Sequence, residues 1–73
     1  MTRSEYIGLL DRCGLRYVDV AWMCGVNVRT TFRWSDKSEK WPVPQSVALL
    51  LQAYDEGLIS PRWVVRHVET PVP

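Results

Sequence analysis

The chain has little of what most functional classes require. Its 73 residues hold two cysteines, one histidine and four glycines, and the formal net charge at pH 7 is only +1. Cys13 and Cys24 fall short of the four or more cysteines usual in a secreted mini-protein. We therefore expect a cytoplasmic protein with reduced, buried thiols rather than a disulfide. His67 has no partner at a metal-ligand spacing, so no metal site is expected. No Gly-rich phosphate loop and no nucleophile–base arrangement is present, so neither an enzyme nor a cofactor is expected. Apolar runs such as Val47–Leu51 are far too short to span a membrane. The first residues lack the charged stretch followed by an apolar run that marks a secretory leader. A chain of this length holds one domain, and its single core supplies only about 3–5 kcal/mol. Further stabilisation, most simply from a second copy, is expected.

What is present is an uneven distribution of charge. Between Arg12 and Lys40 six cations (Arg12, Arg16, Arg29, Arg33, Lys37, Lys40) face three anions (Asp19, Asp36, Glu39). Outside that stretch Arg3, Arg62 and Arg66 are outnumbered by Glu5, Asp11, Asp55, Glu56 and Glu69. A basic middle between acidic ends suits a protein that turns one face toward phosphate.

Periodicity predicts an all-α domain of four to five helices over residues 1–69, with 70–73 as a frayed tail. Thr2-Arg3-Ser4-Glu5 fits a capping box, and Tyr6, Leu9, Leu10 and Cys13 form an apolar stripe that Gly14 ends. Tyr17, Val20, Ala21 and Cys24 repeat the spacing on a second helix, with Arg16 a poor N-cap and Gly25 the stop. Asn27 caps a third helix that runs to about Trp34. Asp36 to Val43 reads as a loop in which Trp41 packs against the next helix. Pro44 suits the first turn of a fourth helix, whose stripe is Val47, Leu50, Leu51 and Tyr54 and whose end is Gly57. Ser60-Pro61 then looks like the start of a short helix, although the β-branched and aromatic run Trp63–Val68 also suits a strand.

The informative stretch is 17–34. Ala21 lies four residues after Tyr17 and Gly25 four after Ala21, with Val26 and Asn27 next. This is the spacing of a helix-turn-helix. A small residue permits two short helices to cross closely, a glycine takes positive φ in the sharp turn, and Val26 plugs the core beneath it.

The stretch Leu15-Arg16-Tyr17-Val18-Asp19-Val20-Ala21-Trp22-Met23-Cys24-Gly25-Val26-Asn27, continued to Arg33-Trp34, resembles the Cro-type (XRE-like, lambda-repressor-like) helix-turn-helix family of phage and bacterial repressors. The likeness covers roughly Glu5 to Gly57. The segment Trp41-Pro42-Val43-Pro44-Gln45-Ser46-Val47, with the leucine-rich helix after it, is similar to the small anti-CRISPR-associated regulators of phages, which are dimeric autorepressors. The resemblance implies a compact domain of about that helix count that represses transcription by binding double-stranded DNA. Two positions depart from the family pattern. Thr31 stands where an aliphatic residue normally enters the core, and Tyr17 where a glutamine usually meets the phosphate backbone.

If Val26, Thr31 and Trp34 face inward, helical geometry turns Val28, Arg29, Phe32 and Arg33 outward to the major groove, with Thr30 at the edge. Arg29 is the first candidate to read a guanine, Arg33 reads a base or a phosphate, and Val28 and Phe32 suit thymine methyl groups. The competing arrangement rotates the helix and packs Phe32 inward. Arg16, Tyr17, Asn27, Lys37 and Lys40 are candidates for the phosphate backbone, with Asn27 chiefly a cap. Leu58, Ile59, Trp63, Val64, Val65 and Val68 are more apolar than so small a domain requires, so residues 58–68 are expected to form a homodimer interface on an inverted-repeat operator. The alternative is an interaction module on the same fold that reads no DNA, such as an antitoxin or a DNA-packaging subunit.

Overall fold

The computed structural model describes residues 1–68, and their regular secondary structure is entirely helical. In chain order the elements are α1 (Arg3–Cys13), α2 (Tyr17–Cys24), α3 (Val28–Arg33), α4 (Gln45–Asp55) and α5 (Pro61–His67). The segment that suited either helix or strand is thus a helix. The expected fraying at 70–73 lies outside the described residues. Among the described residues no helix is long and apolar enough to cross a membrane.

Each helix begins where a side chain or a proline ends the preceding extended chain. Thr2 accepts from the Glu5 amide at 3.1 Å and Glu5 reaches back to the Thr2 amide at 3.0 Å, a complete capping box. Asn27 accepts from the Arg29 amide at 2.9 Å and Ser60 from the Trp63 amide at 3.1 Å. Arg16 cannot cap with its own side chain. Asp19 compensates by accepting from the Arg16 amide at 2.8 Å. Pro44 sits one position earlier than expected, at the N-cap of α4 with ψ 145° rather than in the first turn, and its carbonyl accepts from Ala48.

The turn between α2 and α3 needs a glycine for a backbone reason. Gly25 has φ +66°, a conformation that costs an L-residue roughly 1–2 kcal/mol. A Cβ added there would meet nothing within 4 Å, so conformation and not space makes the demand. The left-handed step lets the Val26 amide bond back to the Ala21 carbonyl at 3.0 Å, closing α2 before α3 departs.

The core forms where α1 packs on α4 and α2 on α3. Tyr6, Leu9 and Leu10 meet Val20, Trp34, Val43, Val47, Ala48 and Leu51 in one cluster. Val26 is half-buried against it rather than fully enclosed. Two hydrogen bonds tie α1 to α3 and to the turn that follows it. The Tyr6 hydroxyl donates to the Thr31 carbonyl at 3.1 Å, and Arg3 Nε donates to the Ser35 carbonyl at 2.7 Å.

The apolar residues of the C-terminal segment divide between core and surface. Val64, placed by the sequence in a dimer interface, is only 4% exposed and covers the chain's own interior. It sits in α5 beside Trp22 and Met23 of α2, with Leu50 of α4 along the same groove. Ile59 and Val68 are half-buried. Leu58, Trp63 and Val65 do stay exposed, at 75%, 43% and 55%. Trp63 stacks on His67, with ring centroids 4.2 Å apart.

Candidate nucleic-acid interface

The inward side of α3 is centred on Thr31, one of the two departures from the family pattern. Thr31 is completely buried, yet its hydroxyl is satisfied, donating to the Val28 carbonyl at 2.6 Å and lying 3.4 Å from the Tyr17 carbonyl. Its own carbonyl receives the Tyr6 hydroxyl. A threonine thus does in polar terms what an aliphatic plug does by packing. Trp34, one turn on, is 5% exposed and meets Tyr6 edge-on at 5.9 Å. With Thr31 and Trp34 inward, the other side of α3 is turned to solvent.

That outer side carries the expected base-reading set. Arg29, Phe32 and Arg33 are exposed, and Val28 and Thr30 are half-buried. Arg29 and Arg33, like Val28 and Phe32, are four residues apart and so neighbours on the helix surface. Phe32 resolves the two arrangements left open by the sequence. It is 50% exposed on α3, and its ring also packs on Tyr17 at 4.6 Å. The rings form a row, the buried Trp34 and Tyr6 followed by half-buried Tyr17 and exposed Phe32, with Tyr6 and Tyr17 6.5 Å apart. Burial of the Tyr6 phenol pushes its pKa well above the usual tyrosine range.

The phosphate candidates separate into engaged and open groups. Arg16 gives Nε and Nη2 to the Asp19 carboxylate at 3.1 and 3.0 Å. The hydrogen bonds hold the Asp19 carboxyl below its ordinary value and raise the Arg16 guanidinium's. Arg16 must therefore share its charge before it meets a phosphate. Tyr17 is half-buried in the aromatic row. Asn27 spends its carbonyl oxygen on the cap and is otherwise exposed. Lys37 and Lys40 are exposed on the loop after α3, and neither forms an ion pair among the described residues. Trp41, which the sequence places against α4, also has a face turned toward α3. It is 42% exposed, and the Arg33 guanidinium carbon lies over its ring, 5.6 Å from the centroid. The aromatic and basic spacing, Arg33 to Trp41, had been in the sequence, but nothing local pairs residues eight apart across a loop.

The two cysteines are free and half-buried. Burial pushes the Cys24 thiol up to about 11, and burial, with Asp55 beside it, also raises Cys13. No protein-family model matches the chain, and no curated protein or solved structure matches it significantly.

Proposed function

We propose that the chain is a sequence-specific DNA-binding repressor of the lambda-repressor-like helix-turn-helix type, in which α2, the Gly25 turn and α3 form the reading unit. It acts as a homodimer on an inverted-repeat operator in the cytoplasm. The observation that carries this reading is the division of α3. Thr31 and Trp34 are fixed inward, while Arg29, Phe32 and Arg33 remain exposed on one short helix. An arginine presents a planar fork that matches the two acceptors of guanine in the major groove, and an aromatic or aliphatic neighbour suits a thymine methyl. Lys37 and Lys40 on the following loop supply the sequence-independent attraction to phosphate.

A second reading, an interaction module that binds a protein and not DNA, draws on the exposed Leu58, Trp63 and Val65 and on the small net charge. Selection of bound duplexes from a randomised library separates the two. We expect an enriched inverted repeat, and Arg29→Ala to lose about 1–3 kcal/mol on the enriched duplex while relaxing one base pair of each half-site. Absence of binding to any duplex at low salt would favour the interaction module. Equal loss on enriched and random DNA would place Arg29 on phosphate alone.

A further inference from the structure

The loop that follows α3 is folded by its own backbone. The amides of Ser35 and Asp36 return to the carbonyls of Phe32 and Arg33 at 3.0 and 3.1 Å. The Asp36 side chain then accepts from the Ser38 amide at 3.2 Å and its carbonyl from the Glu39 amide at 3.0 Å. Glu39, which closes that turn, takes a left-handed φ of 56°. These successive turns bring Trp41 back to the last residue of α3, where its ring lies under the Arg33 guanidinium.

The chemistry of that contact differs from the other arginine pair near the site. Arg16 spends two N–H groups on Asp19. Arg33 forms no ion pair among the described residues, and its neighbour is the face of an indole. An indole face is the strongest aromatic partner for a guanidinium. It restricts the plane of the cation while leaving the N–H edge unoccupied, since a π face takes charge and not individual hydrogen-bond donors. A long side chain held in this way loses less freedom when it docks.

We propose that Trp41 is a positioning residue for DNA reading, holding Arg33 so that its unoccupied guanidinium edge is presented to a base. The inference rests on the DNA-binding reading above and adds a specificity determinant on a residue that need not itself touch a base.

The test is a randomised-duplex selection run in parallel on the wild-type chain, Arg33→Ala, Trp41→Ala and Trp41→Phe, with proton NMR of each free protein. In the free wild type, ring currents from the indole shift the Arg33 side-chain protons upfield, and Trp41→Ala abolishes that shift. In the selection, Arg33→Ala removes the preference at one base pair of each half-site. Trp41→Ala weakens preference at that same base pair by about two- to fivefold, in line with an exposed cation–π contact. It leaves the base pair read by Arg29 and the affinity for random duplex unchanged. Trp41→Phe restores most of the lost preference. An unshifted Arg33 in the free wild type overturns the proposal without reference to DNA. So does a Trp41→Ala profile equal to wild type, or one weakened at every base pair alike, which is the mark of a merely structural tryptophan. If the wild type enriches no duplex while the upfield shift is present, it is the DNA-binding reading that fails, and this role for Trp41 falls with it.

Discussion

Thr31 shows how a buried hydroxyl can belong to the inward side of a short helix. A buried side chain that satisfies its donor on the Val28 carbonyl can sit at the centre of the packing without an orphaned polar group. Replacing it by the isosteric valine, the kind of residue the family resemblance calls for, removes the donor and leaves the carbonyls behind. We expect Thr31→Val to cost about 1 kcal/mol, lowering the melting temperature by roughly 4–8 °C in a domain of this size. Thermal unfolding followed by circular dichroism measures it. A higher melting temperature would mean that the apolar methyl outweighs the hydrogen bond, and that the threonine is there for something other than stability.

Among the elements, α1 and α2 both start on a carboxylate that a backbone amide holds ionised, and in α2 a guanidinium engages it too. Asp19 accepts from the Arg16 amide and from its guanidinium, and these bonds lower its pKa from 3.8. A depressed carboxyl stabilises the fold fully above its unfolded value, and that contribution is lost as the pH falls through the lower folded value. Asp19→Asn should therefore flatten the acid limb of the stability curve while leaving the slope near neutrality alone, as urea titrations at a series of pH values would show. An unchanged acid limb would assign it to Glu5 and Asp55, which are lowered by Thr2 and Arg12 respectively. The boundaries of the helices were legible in the sequence because caps are local. Thr2, Asn27 and Ser60 need only residues three or fewer positions away. The Arg16–Asp19 pair was equally local and could have been read from its spacing. The inward side of α5 was not legible, since Trp63, Val64, Val65 and Val68 are all apolar and offer no contrast between faces. Trp41 was illegible for another reason: its partner is chosen by loop turns that depend on a left-handed Glu39.

At the scale of the molecule, burial of Val64 narrows the surface available to a second copy. Truncating the chain after Gly57 would strip cover from α2 as well as remove an interface, so a point substitution is the cleaner probe. We expect the wild type to have the mass of a dimer by light scattering at micromolar concentration. Val65→Asp, at a residue 55% exposed, should give a folded monomer with weaker operator binding. A single-chain mass for the wild type, both free and on DNA, would remove the dimer.

The outer side of α3 also bears on how such a protein can change over generations. Phe32 leans on Tyr17, and Arg33 on Trp41. Arg29 has no such contact among the described residues, so on the proposed function a mutation there would retune the preferred operator in one step. At positions 32 and 33 a new side chain leaves an abandoned ring behind. Drift toward new operators would accordingly proceed singly at 29, and as paired substitutions at 17 with 32 and at 33 with 41.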